Sequence, residues 1–265
     1  MLRFAVPLVL AAKLARSLQS ARVVALIPAR YASTRFPGKP LALVDDRTLI
    51  EHVYRRAEQA RLVDAVVVAT DDRRIADAVD GFGGSAVMTR DDHATGTDRL
   101  AEVAAELTCE VVVNVQGDEP LIAGDAIDAA VRLLEERPDD VMGTLRSRID
   151  RDEDFASPDV VKVVVDAGGY ALYFSRAAIP HVRAGAPRPA VWRHIGLYAY
   201  RRAFLCELAG LPATPLERAE ALEQLRALEH GYRIRTAETG AAAIGVDTPE
   251  DLERVRQRLQ TATRA

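Results

Sequence analysis

The first clear hydrophobic signal is residues 23–27, an unbroken apolar run containing Val23, Val24 and Ile27. A run of that length and β-branched content predicts a strand buried on both faces. Leu49, Ile50, Val53, Tyr54 and Ala57 then recur at helical spacing, predicting a helix over 49–61. The alternation continues. Strands are expected over 65–69, 85–88, 110–115 and 141–145, with helices over 73–79, 98–107 and 125–136. Repeated β-α-β units imply an α/β fold, a doubly wound and mostly parallel sheet. The second half changes character. Residues 160–165 and 170–174, joined by Ala167-Gly168-Gly169, predict an antiparallel hairpin. An exposed loop over 181–189, a strand over 195–200, one long helix over 215–230, a strand over 233–237 and a terminal helix over 249–259 follow. The chain divides into an N-terminal extension (1–20), an α/β core (21–150), an inserted smaller and more antiparallel lobe (151–210), and a return to the core with the C-terminal helix (211–265).

At 265 residues, 49% hydrophobic and 28% charged, the chain can bury a sizeable core as an ordinary soluble globular protein. Its net charge of -4, from 35 basic and 39 acidic residues, argues against a nucleic-acid surface. Cys109 and Cys206 have no paired spacing and read as reduced cytosolic thiols, which makes the expected location cytoplasmic. No acidic residue precedes Asp45, and residues 1–20 are apolar with Arg3, Lys13 and Arg16. Their longest apolar run, 4–12, is too short to span a bilayer. A disordered or helical extension is the preferred reading, over membrane contact through residues 1–20 or a targeting segment.

The candidate chemistry clusters where strands should end. Residues 27–40 read IPARYASTRFPGKP and set Arg30, Arg35 and Lys39 on one loop. Three cations and several backbone N–H groups there suit a polyphosphate. The spacing is not that of a Walker P-loop. The stretch NVQGDEP, 114–120, places Asp118 at a strand's carboxyl end, where it can hold a cation, and Gly117 where backbone can approach a ligand. An acidic turn before a helix would look the same. GVDTPED, 245–251, offers Asp247 as a second carboxylate, or as a helix cap together with Thr248. The loop 88–99, with Thr95, Gly96 and Thr97, could read the edge of a base, or simply cap a helix through Thr97.

Taken together these motifs resemble those of nucleotidyltransferases that activate sugars, and most closely the 3-deoxy-manno-octulosonate (KDO) cytidylyltransferases. NVQGDEP and GVDTPEDLERV match that family's segments without a gap, and YFSRA-x-IP, RH-x-G-x-Y and LEQLR recur at 173–180, 193–198 and 222–226. The resemblance covers roughly residues 22–260. It implies a nucleotide-diphospho-sugar transferase-like fold, CTP and KDO as substrates, CMP-KDO and pyrophosphate as products, and a role in lipopolysaccharide-type glycan synthesis. By the resemblance Asp118 and Asp247 hold Mg²⁺, Arg30, Arg35 and Lys39 take the triphosphate, and Thr95, Gly96 and Thr97 contact cytosine and ribose. Gln116 orients the substrates, Arg176 and His194 meet the sugar carboxylate, and Tyr198, Glu223 and Gln224 meet its hydroxyls. A homodimer through the smaller lobe is implied as well. Thr95 stands where the family usually has Ser, Ala94 replaces a longer polar side chain, and the loop 180–193 is shorter than in familiar members. Other readings are another acidic sugar, such as an 8-amino KDO analogue or a sialic-acid-like sugar, and a non-catalytic binding protein of the same fold.

Overall fold

The computed structural model describes residues 18, 20–32, 36–240 and 245–264; most of the 1–20 extension, and Arg35, lie outside the described residues. Strand β1 (Val23–Ala29) leads to a 3-10 turn at Lys39–Leu41, a small hairpin of β2 (Leu43–Val44) and β3 (Arg47–Thr48), and helix α1 (Leu49–Ala57). There follow β4 (Ala65–Thr70), α2 (Arg73–Gly81), β5 (Ala86–Met88), α3 (Gly96–Ala105), β6 (Val111–Asn114), α4 (Gly124–Glu136) and β7 (Met142–Arg148). The second half holds α5 (Asp152–Ala156), β8 (Lys162–Val165), β9 (Ala171–Ser175), β10 (Trp192–Arg201), α6 (Arg202–Gly210), α7 (Pro215–Glu220), α8 (Gln224–Glu229), β11 (Arg235–Glu238) and α9 (Pro249–Arg264).

Among the described residues nine strands form one sheet. Its main path runs β11-β7-β10-β6-β1-β4-β5, with β8 beside β10 and β9 beside β8. Strand side chains alternate between faces, and β1 is buried on both. Val23, Ala25 and Ile27 pack with Ile50 and Val53 of α1 and Ile127 and Leu134 of α4. Val24 and Leu26 pack with Leu100 of α3, Leu205 of α6 and Leu225 of α8. Helices on both faces make the sheet doubly wound, as the apolar runs predict. β1 pairs in parallel with β4 on one side and β6 on the other. The chain therefore reverses its direction of travel across the sheet at β1. In such sheets the crevice beyond the carboxyl ends at the reversal is the ligand site, and the segments after β1 and β6 are IPARY and NVQGD.

The predicted 160–174 hairpin is present as β8 and β9. β10 does not stand in a separate small sheet. It runs antiparallel between β6 and β7, pairing Tyr198 with Asn114 and Ile195 with Leu145. β10 thereby carries residues of the 151–210 segment to the centre of the core sheet.

Two expected elements differ. The long helix over 215–230 is broken into α7 and α8 at Ala221, which adopts the left-handed conformation (φ 51°). The segment ERAEALEQLRALE favours a continuous helix on local propensity. Tertiary structure overrides it, because Arg226 forms a forked pair with Glu217, Nε to Oε2 at 2.9 Å and Nη2 to Oε1 at 2.5 Å, with both side chains buried. Nine residues apart on a straight helix, these groups would be separated by about 13.5 Å of rise. The second difference is the start of α3. Thr95, not Thr97, is the N-cap, in a reciprocal box with Asp98 (Thr95 Oγ1 accepts from Asp98 N at 3.1 Å, and Asp98 Oδ2 accepts from Thr95 N at 3.2 Å). The helix therefore begins two residues earlier than expected and Thr97 is released to face the site.

Candidate active site

The loop after β1 is shaped by its own backbone. Gly38 N donates to Tyr31 O at 2.9 Å, and Gly38 sits at φ 71° with the Tyr31 ring only 3.1 Å from where a Cβ would be. A side chain there would meet both an unfavourable backbone conformation and the ring. The Tyr31 ring is covered on its other approach by the Arg74 guanidinium, 3.3 Å from the ring centroid. This turn places Lys39 at the head of the 3-10 segment. Its ammonium donates to Asp118 Oδ2 at 2.8 Å and to Val246 O at 2.7 Å, and lies 3.4 Å from Asp247 Oδ1. Asp118 and Asp247, 129 residues apart in sequence, thus converge on a single cation. A backbone bond from Val246 N to Asp118 O, 2.9 Å, ties the turn after β6 to the segment that leads into α9.

Two sequence alternatives are decided here. The cap of α9 falls to Thr248 and Asp251: Asp251 Oδ2 accepts from Asp247 N and Thr248 N, and Thr248 Oγ1 accepts from Asp251 N. Gly117 is required for a close approach, but to the protein itself. A Cβ on it would lie 2.7 Å from Pro28 O, where the turn after β6 passes the end of β1. The oxygen set that converges on Lys39 is the kind that suits a hard dication. Among the described residues no group of three or more His, Cys, Asp or Glu side chains gathers for a metal. Asp118 and Asp247 are the residues that could hold a hard dication, with its other ligands coming from outside the protein.

Next to this cluster is a cavity of about 260 Å³. Its walls come from five places: Gly96 and Thr97 at the start of α3, Asn114 and Gln116 at the end of β6, His194, Gly196 and Tyr198 on β10, Leu208 on α6, and Leu222, Glu223 and Gln224 at the α7–α8 break. Only Gly117 separates Gln116 from Asp118, so the cavity and the carboxylate pair share one turn. Most of the residues expected for base and sugar recognition are therefore brought together. Gln116 donates to Asn114 Oδ1 at 3.2 Å. The Glu223 carboxyl is raised by burial, an effect opposed by hydrogen bonds from Thr97 and Thr95. Gln224 Nε2 is buried and has no hydrogen-bond partner, a donor that a ligand oxygen would satisfy.

Two expected residues behave differently, while Arg30 keeps the open loop position expected of it. Arg30 is exposed at the end of β1. Arg176 is spent on the protein, its guanidinium donating to Glu220 O at 2.8 Å and Pro158 O at 3.2 Å, and it is not among the cavity walls. His194 does line the cavity, but burial holds its pKa down at about 3. It is neutral at physiological pH and supplies no charge for a carboxylate. Residues not singled out in the sequence also appear. Asn114 and Tyr200 line the cavity, and Thr144 contacts His194 from β7. Glu119 lies beneath the β10 strand, its Oε1 3.8 Å from where a Cβ on Gly196 would be, and desolvation beside Asp118 pushes its carboxyl up to about 8. Asn114 and Glu119 belong to the NVQGDEP stretch, so that stretch was the available signal. Thr144 and Tyr200 carried none.

The chain matches the Cytidylyltransferase family over residues 24–234. A 3-deoxy-manno-octulosonate cytidylyltransferase of Syntrophotalea carbinolica is 58% identical over 246 residues, 90% of this chain and 98% of the relative. That of Geobacter sulfurreducens is 56% identical, over 90% of this chain and 99% of the relative. Among solved structures, CMP:2-keto-3-deoxy-manno-octonic acid synthetase complexed with CTP superposes with a TM-score of 0.87 at 44% identity, covering 91% of this chain and 99% of that one. A cytidylyltransferase from Leptospira borgpetersenii, 19% identical with a TM-score of 0.60, shares the fold. With these identities spanning both the crevice after β1 and β6 and the β10 cavity, the chain belongs to the 3-deoxy-manno-octulosonate cytidylyltransferase family.

Proposed function

We propose that this protein transfers CMP from CTP to the anomeric hydroxyl of 3-deoxy-manno-octulosonate and releases pyrophosphate. The observation that carries the reading is the Lys39 ammonium held between Asp118 and Asp247, one turn away from a cavity walled by amides, hydroxyls and a neutral imidazole. The relatives named for this reaction support it. Displacement at the α-phosphorus needs the attacking hydroxyl held in line and the moving negative charge neutralised. Lys39, with Arg30 and Arg35 of the same loop, supplies fixed positive charge toward the triphosphate and the departing pyrophosphate. Gly96 and Thr97 face the nucleoside, with Thr95 capping the start of α3 that presents them. Gln116, Tyr198, Glu223 and Gln224 hold the sugar, Gln224 Nε2 donating to one of its oxygens. Mg²⁺ held by Asp118 and Asp247 supplies further neutralisation of phosphate charge when bound.

The same reading has a cytoplasmic enzyme acting as a homodimer through the lobe that carries β8 and β9. The free cysteines support the first, and the resemblance of the 151–210 segment supports the second. No helix among the described residues is long and apolar enough to cross a membrane. The test is pyrophosphate release from CTP with a panel of acidic sugars. KDO is expected to turn over fastest. Preference for an 8-amino analogue or a sialic-acid-like sugar would move the substrate assignment, and no release with any acidic sugar would leave a binding protein.

A further inference from the structure

Thr144 lies on β7, fully buried, opposite an irregularity in β10 between Ile195 and Tyr198. Its hydroxyl oxygen has three polar neighbours: Leu197 O at 2.9 Å, Ile195 O at 3.1 Å and His194 Nε2 at 3.0 Å. A hydroxyl has one proton to give and lone pairs with which to accept. The two carbonyls can only accept. If Thr144 gave its proton to Nε2, both carbonyls would face its lone pairs at hydrogen-bond distance. The consistent arrangement has Thr144 donating to the β10 backbone and accepting from an N–H at Nε2. The ring is neutral and so carries only that proton, and Nδ1 is then a bare acceptor. Nδ1 has no hydrogen-bond partner among the described residues, while the ring lines the cavity between Phe174, 4.9 Å away by ring centroids, and Tyr198, 5.3 Å away.

We propose that Thr144 is a positioning residue that locks His194 in its Nε2–H tautomer, so that Nδ1 accepts a hydrogen bond from a hydroxyl of the acidic sugar and not from its carboxylate. The inference rests on the cavity being the sugar site, but its first half concerns the free protein alone. An imidazole that offers a lone pair rejects an anion and reads a hydroxyl donor. His194 becomes a specificity contact for the carbohydrate part of the substrate, and the carboxylate must be met elsewhere.

The test has two arms. Long-range ¹H–¹⁵N NMR of the histidine rings in the ligand-free protein, with His194 assigned from the His194→Gln variant, is expected to show a pyrrole-type Nε2 and a pyridine-type Nδ1. The opposite tautomer overturns the proposal whatever the substrate proves to be, and this arm reads the tautomer in the wild-type protein itself. The kinetic arm compares Thr144→Ser with Thr144→Val, using whichever acidic sugar is turned over. Thr144→Ser keeps the hydroxyl and is expected to retain the wild-type tautomer and KM. Thr144→Val, shown to be folded by circular dichroism, is expected to mix the tautomers and raise the sugar KM about tenfold, with the CTP KM unchanged. A folded Thr144→Val protein with mixed tautomers and an unchanged sugar KM overturns the hydroxyl-reading role. A wild-type Nε2–H tautomer together with no turnover of any acidic sugar would instead place the failure in the functional reading.

Discussion

At the scale of single residues, the site is built on charge held at close quarters by strand-end turns. Asp118→Asn and Asp247→Asn are each expected to lower turnover by about 100-fold or more while leaving the fold intact, because an amide is a poor ligand for a hard dication. Near-normal pyrophosphate release at ordinary Mg²⁺ by either variant removes that residue from the metal site. Lys39 has a second role visible in the free protein, since its ammonium separates two carboxylates. Lys39→Ala is therefore expected to lower kcat and also to lower the melting temperature in chelator, with Mg²⁺ restoring the latter. A variant whose melting temperature is indifferent to Mg²⁺ would argue that Asp118 and Asp247 bind none. His194 makes a pH prediction. Its folded pKa lies at about 3, below the ordinary 6.5. Above the ordinary value both states are neutral and nothing is lost. As pH falls between the two, the unfolded state takes up a proton that the folded state refuses, and stability declines by up to about 1.4 kcal/mol per pH unit. Denaturant titrations at pH 7 and pH 5 are expected to show a smaller acid loss in His194→Phe than in wild type, and equal losses would mean that the ring is solvated.

Among elements, the α7–α8 break does most to shape the sugar side of the cavity. It puts Leu222, Glu223 and Gln224 on a turn aimed inward, at the expense of a left-handed Ala221 that costs roughly 1–2 kcal/mol. Two contacts hold it. The Glu217–Arg226 fork draws α7 and α8 together, and the Glu220 carboxylate accepts from Ser175 Oγ at 2.6 Å, at the end of β9, and from Arg176 N at 2.9 Å just after it. Glu217→Ala leaves the Arg226 charge buried, with Asp98 4.0 Å away as a weaker charged partner and Leu208 O accepting from Nη1 at 3.4 Å. A loss of about 3 kcal/mol is expected, near the low end for a broken buried pair, together with a raised sugar KM. Chemical denaturation and steady-state kinetics check both, and a stable variant with an unchanged KM would detach the fork from the site.

For the whole molecule, the reversal of strand order at β1 decides where chemistry is possible. It opens a crevice after β1 and β6, and β10, entering antiparallel beside β6, supplies the second wall. The proposed dimer belongs to this scale. The protein is expected to sediment at twice its 28.9 kDa chain mass, and Leu172→Arg, which puts a charge on the exposed face of β9, is expected to shift it toward monomer. A monomeric wild-type protein at micromolar concentration would remove the dimer from the reading.

The layered α/β fold, the β8–β9 hairpin, and the roles open to Lys39, Asp118 and Asp247 were legible in the chain, because each rests on local information: an apolar run, a turn, a charged residue at a strand's end. The α3 cap was legible too, since Thr95 and Asp98 have the spacing of a reciprocal box, but Thr97 drew the reading two residues too far. Other features depend on partners far away in sequence. Arg176 reads as a free cation until Glu220 and Pro158 present their carbonyls to it. His194 reads as a possible charge until packing strips away its water and Thr144 claims Nε2. The helix over 215–230 breaks because a buried ion pair outweighs propensity. The sequence by itself determined which groups could do this chemistry. Only the tertiary structure decided which of them face the cavity, and in what protonation state, because desolvation and hydrogen-bond commitment are set by neighbours that no local pattern reveals.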